Sequence, residues 1–245
     1  MVTRSFPACL YVCLGCLAFQ MTMAQRVPES PPKAPSSMVY VPAGPFLMGS
    51  DKGDPDERPV HTDSTNAFYI DTYEVSNRAF AAFDPSHRFP AGREDNAAIV
   101  TWSRADAYAR WAGKRLPTER EWEKAARGTD GRLFPWGDTF EESFITWGPE
   151  NSRGGSIARP ASPYGCFDMA GSVWEWTADW YKPYPGNPMP MAQYGERYKV
   201  MRGGSHFNDW AMWRTSHRYY LLPEEISRYP VGFRCVMDAP NATEK

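Results

Sequence analysis

The sequence predicts a single α+β domain in which regular secondary structure is sparse. Two amphipathic helical segments lie close together in the middle of the chain, and short stretches with strand-like alternation precede them. After Thr129 the chain is rich in glycine, proline and tryptophan and has no long periodic segment. Long irregular stretches inside a compact domain are uncommon, so we expect ions, disulfides or packed aromatic rings to hold this half.

The composition is sufficient for one compact core. Of 245 residues, 42% are hydrophobic, 15% are aromatic and 23% are charged, which argues against intrinsic disorder. The 27 Lys and Arg residues nearly balance the 29 Asp and Glu residues, so the formal net charge is −2. The bulk charge therefore favours neither nucleic acid nor an anionic membrane as a partner.

The N-terminal segment has the pattern of a secretory signal peptide over residues 1–24. Arg4 precedes an apolar stretch, residues 6–19, that is too short to span a bilayer as a permanent helix. Small residues precede the expected cleavage after Ala24. We therefore expect a periplasmic or secreted protein whose mature chain has no membrane span. Two alternatives are a lipoprotein anchored through Cys16 and a buried N-terminal helix.

Three further segments follow the signal peptide. Residues 25–37 are rich in proline and serine and predict a flexible lead-in, residues 38–238 form the domain, and residues 239–245 form a tail. Only Cys166 and Cys235 lie in the domain. In an oxidising compartment they can form one disulfide, or Cys235 can remain free and buried. No CxxC motif exists, which argues against zinc held by thiolates.

The first half of the domain predicts strands, a loop and a short helix. Residues 38–49 alternate around a Pro-Ala-Gly turn and predict a hairpin, and residues 50–63 predict a loop. Residues 65–73 are strand-like. A short helix over residues 78–83 follows, with Ser76 or Asn77 as its N-cap.

The clearest helical signals lie between Trp102 and Gly128. Ser103 is a candidate N-cap for a helix over residues 104–112. Thr118 and Glu121 have the spacing of a capping box that begins a second helix, and Gly128 ends it. A helical hairpin packed on the core is the expected outcome.

Nine short motifs follow one another along the domain: Val-Pro-Ala-Gly-x-Phe-x-Met-Gly (41–49), Glu-Arg-Pro-x-His (57–61), Tyr-Glu-Val-Ser-Asn (73–77), Trp-Ala-Gly-Lys-Arg-Leu-Pro-Thr-Glu-x-Glu-Trp (111–122), Ala-Ala-Arg-Gly (125–128), Phe-Pro-Trp-Gly (134–137), Asp-Met-Ala-Gly-Ser-Val-Trp-Glu-Trp (168–176), Arg-Gly-Gly-Ser (202–205) and Gly-Phe-Arg-Cys (232–235). Each motif alone is weakly specific. In this order they resemble the formylglycine-generating enzyme family, also called the sulfatase-modifying-factor domain. The resemblance covers residues 38–236 and implies an irregular C-type-lectin-like fold with calcium sites that hold its loops.

Family calcium ligation maps onto four residues: the carboxylates of Asp168 and Glu175 and the backbone carbonyls of Gly171 and Val173. Hard oxygen ligands at irregular spacing suit Ca²⁺, which accepts six to eight of them. In the alternative interpretation, the two carboxylates pair with basic side chains and the neighbouring tryptophans fill the core. The family's second calcium site involves Asn151, but the loop that would complete it is shortened here.

The resemblance also implies where redox chemistry would lie. In catalytic members, two cysteines after the Arg-Gly-Gly-Ser motif bind copper(I), which prefers soft thiolates. Asn208 and Trp213 stand at those positions, and there is no cysteine between Phe167 and Arg234. An amide and an indole cannot supply thiolate ligands. We therefore expect no copper and no copper-dependent formylglycine formation.

Other residues near this motif could form a metal site or a cleft. His206, Asp209 and His217 are the ligand types of a non-haem iron site, but their spacing fits no strong rule, so iron is not expected. His61 and His87 lie in polar loops and are expected at the surface. A cleft could be formed by six candidates: Ser205, Asn208, Asp209, Trp213, Arg214 and Arg218. Alternatively, the two arginines bridge loops and have a structural role.

Two functions remain open at this stage. One is an exported oxidative maturation factor that acts on an exported small-molecule or peptide substrate, as the resemblance to the periplasmic protein of pyoverdine chromophore maturation implies. The other is a non-catalytic, calcium-stabilised module that binds a peptide, a partner protein or a glycan. Fold alone does not decide between them, because activity depends on the site.

Overall fold

A computed structural model describes residues 35–144 and 160–240, which belong to one compact unit spanning residues 32–245. The predicted signal peptide, most of the lead-in, residues 241–245 of the tail and the loop around Asn151 lie outside the described residues. Within the described ranges, no helix is both long and apolar enough to cross a membrane.

The two ends of the domain meet in a three-stranded antiparallel sheet. Strand β1 (Met38–Val41) and strand β9 (Val236–Asp238) flank strand β4 (Phe68–Asp71). All four residues of β4 are buried, so this strand is central both in the sheet and in the packing. The strand predicted over residues 65–73 is therefore confirmed in its central part.

The hairpin predicted over residues 38–49 is wrong. Strand β2 (Gly44–Met48) does not return along β1 but pairs with strand β3 (His61–Thr65), which begins inside the predicted loop. The intervening backbone wraps around a buried ammonium group instead: Lys124 Nζ donates to Pro42 O at 2.7 Å and to Gly44 O at 2.8 Å. Satisfying a buried cation outweighs the local turn preference.

Helices α1 (Asn77–Phe83) and α2 (Trp102–Trp111) pack side by side. The predicted N-cap of α1 is confirmed, because the Ser76 side chain accepts a hydrogen bond from Ala79 N. Helix α2 begins two residues before the predicted start, with Thr101 as its N-cap, so the proposed cap at Ser103 is wrong.

Helix α3 (Glu119–Arg127) is the central helix of the domain. Its predicted capping box is confirmed: Thr118 N donates to Glu121 Oε2 at 2.8 Å, and Thr118 Oγ1 accepts from Glu121 N at 3.3 Å. Every residue of α3 except Arg120 is buried. Its charged side chains therefore need partners inside the protein.

A four-stranded sheet supplies those partners. Its order is β7 (Arg218–Leu221), β6 (Lys199–Arg202), β5 (Trp174–Trp180) and β8 (Val231–Gly232). The pairing of β5 with β8 is parallel, and the other pairings are antiparallel. The largest core cluster lies between this sheet and helices α1 and α2, and it includes Phe80, Trp174, Trp176 and Phe233.

The two cysteines of the domain are both free and buried, in different core clusters. The alternative of a disulfide between them is therefore not realised. Burial raises the pKa of the Cys166 thiol to about 11 and raises that of Cys235 well above its usual range. Neither thiol is a thiolate at neutral pH.

Candidate functional site

The residues predicted to form a cleft after β6 are bonded to one another. Ser205 is fully buried, and both its hydroxyl and its backbone N–H donate to Asn208 Oδ1, at 2.7 and 2.9 Å. The Trp213 indole donates to Ser205 O at 2.9 Å. These bonds connect the segment to itself, although Phe207 and Trp210 remain exposed.

Two glycines leave the space that the Trp213 ring occupies. A Cβ added at Gly204 would lie 2.5 Å from Trp213 Cδ1, and one added at Gly171 would lie 3.1 Å from the same ring. Both glycines have positive φ angles, of 65° and 75°. The position expected for a copper-binding cysteine is therefore filled by an indole that the surrounding backbone accommodates.

Arg218 and Arg214 have structural roles, as the alternative interpretation predicts. Arg218 is buried and makes a bidentate pair with Glu119, with both N–O distances at 2.8 Å. Arg214 Nη2 lies 2.6 Å from Glu57 Oε1. Asp209, the remaining cleft candidate, caps the short 3₁₀ helix Trp210–Trp213 by accepting from Ala211 N. Ser205, Asn208 and Trp213 are thus bonded to one another, whereas Arg214 and Arg218 pair with Glu57 and Glu119. A cleft formed by the six residues stays a prediction.

The three residues considered as iron ligands, His206, Asp209 and His217, do not form a group of neighbouring ligand atoms. In the described part of the chain, the one group of three possible metal ligands is Asp54, Glu57 and His217, whose ligand atoms lie within 4.8 Å of one another. His217 Nδ1 lies 3.2 Å from Asp54 Oδ2 and 3.4 Å from Glu57 Oε1. Glu57 is fully buried and also accepts from Ser216 Oγ at 2.7 Å.

The directions of the pKa shifts indicate that His217, Asp54 and Glu57 form a cluster of ion pairs. Burial lowers the pKa of His217, but its hydrogen bonds to Asp54 and Glu57 outweigh burial, so the pKa lies above its usual value. The same bond to His217 lowers the pKa of Asp54. Burial opposes ionisation of Glu57, yet hydrogen bonds from His217 and Ser216 hold its pKa below the usual range. The cluster therefore links residues 54–57 to the start of β7.

The predicted calcium ligands lie in a second buried cluster, which is rich in acids. Glu175 accepts from Arg234 at 2.7 and 2.8 Å and from the Trp122 indole at 2.9 Å. Glu74 lies 4.0 Å from the same guanidinium, and Asp168 is close enough to repel Glu74. Glu175 is thus paired with Arg234, as the alternative interpretation expects, and Glu74 lies at the limit of ion-pair distance from the same guanidinium.

The pKa of Glu74 reflects the negative charge that surrounds this side chain. Burial, followed by repulsion from Asp168 and Glu175, raises its pKa to about 8, and Arg234 only partly offsets this. Glu74 Oε1 is buried and has no hydrogen-bond partner among the described residues. Among the described residues, these three carboxylates are not a group whose ligand atoms lie within 4.8 Å of one another, so calcium bound by Asp168 and Glu175 stays a prediction.

A separate cavity of about 400 Å³ lies beside the connection between α1 and α2. Its walls are mostly apolar and are formed by Phe89, Pro90, Ala97, Ile99, Val173 and Pro230. Polar side chains complete the lining: Asn77, His87, Arg88, Arg93, Asn96, Ser172 and His206. We call this cavity the α1–α2 pocket.

Two buried polar atoms of the α1–α2 pocket lack hydrogen-bond partners within the described ranges: Ser172 Oγ and His206 Nε2. The other ring nitrogen of His206 is bonded to Ser172 O at 3.0 Å. Other buried atoms of the described residues, among them Arg214 Nε and His217 Nε2, also lack partners, so these two atoms do not by themselves mark a site. The volume and the mostly apolar lining make the pocket the strongest candidate binding site.

Sequence reasoning missed most of this pocket. His87 is buried, not at the surface as expected, and its Nε2 bonds Asn77 Oδ1 at 2.8 Å. Ser172 lies inside the 168–176 motif between two predicted calcium ligands, and nothing in the pattern marks it. The pocket joins segments that are distant in sequence, so no local spacing predicts it.

Comparison with known proteins finds the same family that the nine motifs indicate. The family model of the Sulfatase-modifying factor enzyme 1-like domain matches residues 24–239. The Formylglycine-generating enzyme of Streptomyces coelicolor is 30% identical, over 88% of this chain and 94% of that protein. The "Inactive C-alpha-formylglycine-generating enzyme 2" of Mus musculus is 28% identical, over 97% of this chain and 94% of that protein.

Two further similar proteins are a longer relative and a protein of known structure. Serine/threonine-protein kinase pkn1 of Chlamydia caviae is 31% identical over 82% of this chain, but the chain spans only 38% of that protein. The solved structure of PvdO from Pseudomonas aeruginosa matches with a TM-score of 0.65 and 25% identity, over 82% of this chain and 94% of that one. The predicted α+β, C-type-lectin-like fold is confirmed. The chain belongs to the family of the Sulfatase-modifying factor enzyme 1-like domain.

Proposed function

We propose that this chain is a non-catalytic, calcium-stabilised binding module, and that the α1–α2 pocket holds its ligand. The observation that carries this proposal is the open cavity of about 400 Å³ with mostly apolar walls. Ser205, Asn208 and Trp213, by contrast, are bonded to one another. Partly apolar cavities with a few convergent polar groups are the usual form of a ligand site.

The chain lacks the side chains for copper-dependent formylglycine formation. The carboxamide of Asn208 and the buried indole of Trp213 occupy the positions that thiolates would need. The remaining thiols, Cys166 and Cys235, are held protonated by burial and lie in separate core clusters. A relative named as inactive shows that this fold is not tied to the activity.

Calcium is part of the proposal because the family's ligand positions are present and because Arg234 only partly offsets the negative charge around Glu74. Asp168 and Glu175 would supply carboxylate oxygens, and Gly171 and Val173 would supply backbone carbonyls. The bound ion would offset the surplus charge that raises the pKa of Glu74. Gly171 and Val173 flank Ser172, so the ion would also fix the backbone that carries one of the pocket's polar groups.

A fragment screen by ligand-observed NMR tests the binding function. Ile99 lines the pocket and is 38% exposed, so Ile99→Trp should fill the opening without disturbing the core. Ile226 is 66% exposed and lies outside the pocket, which makes Ile226→Trp the matched control. We expect fragments that bind the wild type and the control but not Ile99→Trp. No such fragment, or binding unaffected by Ile99→Trp, would contradict the proposal.

An exported oxidative maturation factor is the second candidate. The likeness to PvdO along nearly all of that chain favours it. It requires export, which mass spectrometry of the mature N-terminus would test through cleavage after Ala24. It also requires oxygen consumption with a substrate and a redox metal in the purified protein. Calcium as the only stoichiometric metal, with no oxygen uptake, would favour the binding module.

A further inference from the structure

A second cavity, of about 380 Å³, is lined by residues of strand β3, the start of helix α3 and the end of strand β5. Its volume lies within the usual range for small-molecule sites, roughly 300–1,000 Å³. Met48, Trp180, Tyr184 and Pro185 contribute apolar surface to its walls. We call this cavity the β3–α3 pocket, and it shares no lining residue with the α1–α2 pocket.

The Lys and Arg side chains that line the β3–α3 pocket already have acidic partners. Three ion pairs engage them, at 2.8, 3.3 and 2.8 Å: Arg218–Glu119, Arg120–Asp63 and Lys182–Glu196. The His61 ring, which also lines the pocket, bonds Pro59 O at 2.8 Å. These pairs use two of the three lining carboxylates, and they leave Asp179.

Asp179 makes no ion pair with a described residue. Its Oδ2 accepts from Glu119 N at 2.6 Å, which places the carboxylate at the first turn of α3, where Glu119 and Arg120 line the same pocket. Its Oδ1 has no hydrogen-bond partner among the described residues and does not belong to their buried unpartnered atoms. Asp179 Oδ1 is therefore an acceptor that solvent or a ligand can reach.

The surroundings of Asp179 do not neutralise its charge. Burial, followed by repulsion from Glu119, raises its pKa, and the Glu119 N–H, Arg120 and Lys199 only partly offset this. Lys199 is held elsewhere: its Nζ donates to Ala178 O at 2.8 Å and lies 3.8 Å from the centre of the Trp180 ring. A partly buried carboxylate without a counter-ion is costly, so a cation on the ligand would stabilise it.

The walls indicate what kind of cation fits. Asp63, Glu119 and Asp179 are not a group whose ligand atoms lie within 4.8 Å of one another, so they do not form a metal site. A bare ion would also leave the apolar walls in contact with water. An organic cation with an apolar body satisfies both the carboxylate and the walls.

We infer that the β3–α3 pocket binds a small primary amine with an apolar body. The ammonium group pairs with Asp179 Oδ1, and the apolar body packs against Trp180, Tyr184 and Pro185. This is a second ligand site, separate from the α1–α2 pocket, and it goes beyond the proposed function.

Three compounds of similar size test the inference on the wild-type protein by isothermal titration calorimetry at pH 7. They are 2-phenylethylamine, 2-phenylethanol, which has no charge, and phenylacetate, whose charge is reversed. We expect the amine to bind most tightly and phenylacetate least tightly. The alcohol should bind about tenfold more weakly than the amine, because it loses the charge-assisted bond to Asp179.

Two substitutions should change amine binding in opposite directions. Asp179→Asn keeps an oxygen for Glu119 N but removes the charge, so the amine and the alcohol should bind with equal affinity. Arg120→Gln removes a competing cation whose side chain is 53% exposed, so the amine should bind about threefold more tightly. Asp130→Asn is the matched control, because Asp130 pairs with Arg132 and lies outside the pocket.

The Ile99→Trp variant separates the two pockets, and we expect it to bind the amine as the wild type does. Loss of amine binding in Ile99→Trp would place the amine in the α1–α2 pocket and would overturn the inference. The inference is also wrong if the wild type binds none of the three compounds, if it does not distinguish the amine from the alcohol, or if Arg120→Gln weakens amine binding. None of these three results bears on fragments that require an open α1–α2 pocket.

Discussion

The space around Trp213 and the α1–α2 pocket differ in whether they are filled. Around Trp213, the indole bonds Ser205 O and packs against Gly171 and Gly204, and Ser205 bonds Asn208. The α1–α2 pocket is an open cavity of about 400 Å³ with mostly apolar walls. A filled region stabilises the fold, whereas an open cavity can accommodate a ligand.

Under the proposed function, the ligand binds away from the family's copper position. The Arg-Gly-Gly-Ser motif is present in the sequence, and its second glycine, Gly204, makes room for Trp213 together with Gly171. The predictions below test whether the two regions differ in this way.

Trp213→Cys should have the largest effect on stability. Trp213 is 2% exposed and is packed against Gly171 and Gly204, so its removal leaves a cavity that no neighbour can fill. We expect a loss of about 3–5 kcal/mol in the free energy of unfolding, measured by urea denaturation. Trp210→Cys is the control, because Trp210 is 46% exposed. A loss below about 1 kcal/mol for Trp213→Cys would indicate an open cleft at this position.

Removal of calcium should have the next largest effect. At a calcium concentration a hundredfold above Kd, binding stabilises the fold by about 2.7 kcal/mol, so chelation should lower Tm by about 5–10 °C. Glu175→Gln should abolish this response, and Asp168→Asn, which keeps an amide oxygen, should weaken it. Glu196→Gln is a surface control, since Glu196 pairs only with Lys182 at the protein surface. A transition that is insensitive to chelation would exclude a calcium requirement.

Stability should depend on pH through His217. Its raised folded-state pKa contributes stability that is present below about pH 6.5 and is lost as the pH rises through the folded value. The lowered pKa values of Asp54 and Glu57 contribute stability that is lost as the pH falls through their folded values. The contribution of this cluster is therefore largest between about pH 4.5 and pH 6.5.

His217→Gln tests this pH dependence. We expect the variant to be less stable than the wild type by about 2 kcal/mol at pH 5.5, the typical value of hydrogen bonds to charged groups, and by less at pH 8.5. Urea denaturation at both pH values measures the difference. His61→Gln is the control, since the His61 ring bonds a backbone carbonyl and no carboxylate. A penalty that is the same at both pH values would show that His217 is neutral in the folded protein.

Substitutions of two serines should change the free energy of unfolding least, and they compare the two regions directly. Ser205→Ala removes a hydroxyl bonded to Asn208 and should cost about 1 kcal/mol. Ser172→Ala removes a buried hydroxyl without a partner, so it should leave the free energy of unfolding unchanged or raise it slightly. Equal destabilisation by both substitutions would mean that the pocket is as fully bonded as the segment after β6.

Local features of the fold were predictable from the sequence. The capping box at Thr118 and Glu121 and the N-cap at Ser76 involve residues three positions apart, so the sequence contains all the information that they need. The α+β class followed from the same kind of signal. The family motifs placed Trp213 at a cysteine position, although they did not show that Gly171 and Gly204 accommodate its ring.

Long-range features were not predictable. Strand β2 pairs with β3 and not with β1, and Lys124, about 80 positions away, bonds the backbone between β1 and β2. His217 meets Glu57 across 160 positions, so its spacing from His206 carried no information. The α1–α2 pocket likewise depends on distant segments that only the folded chain brings together.

The central claim is that ligand recognition occurs in the α1–α2 pocket and not around Trp213. Backbone amide chemical shifts during titration with a fragment that binds the wild type but not Ile99→Trp test it directly. We predict saturable shifts at Ala97, Ser172 and Val173, with residues 209–214 unchanged. Shifts concentrated at residues 209–214, with Ala97 and Val173 unmoved, would contradict the claim and return the function to the family's copper position.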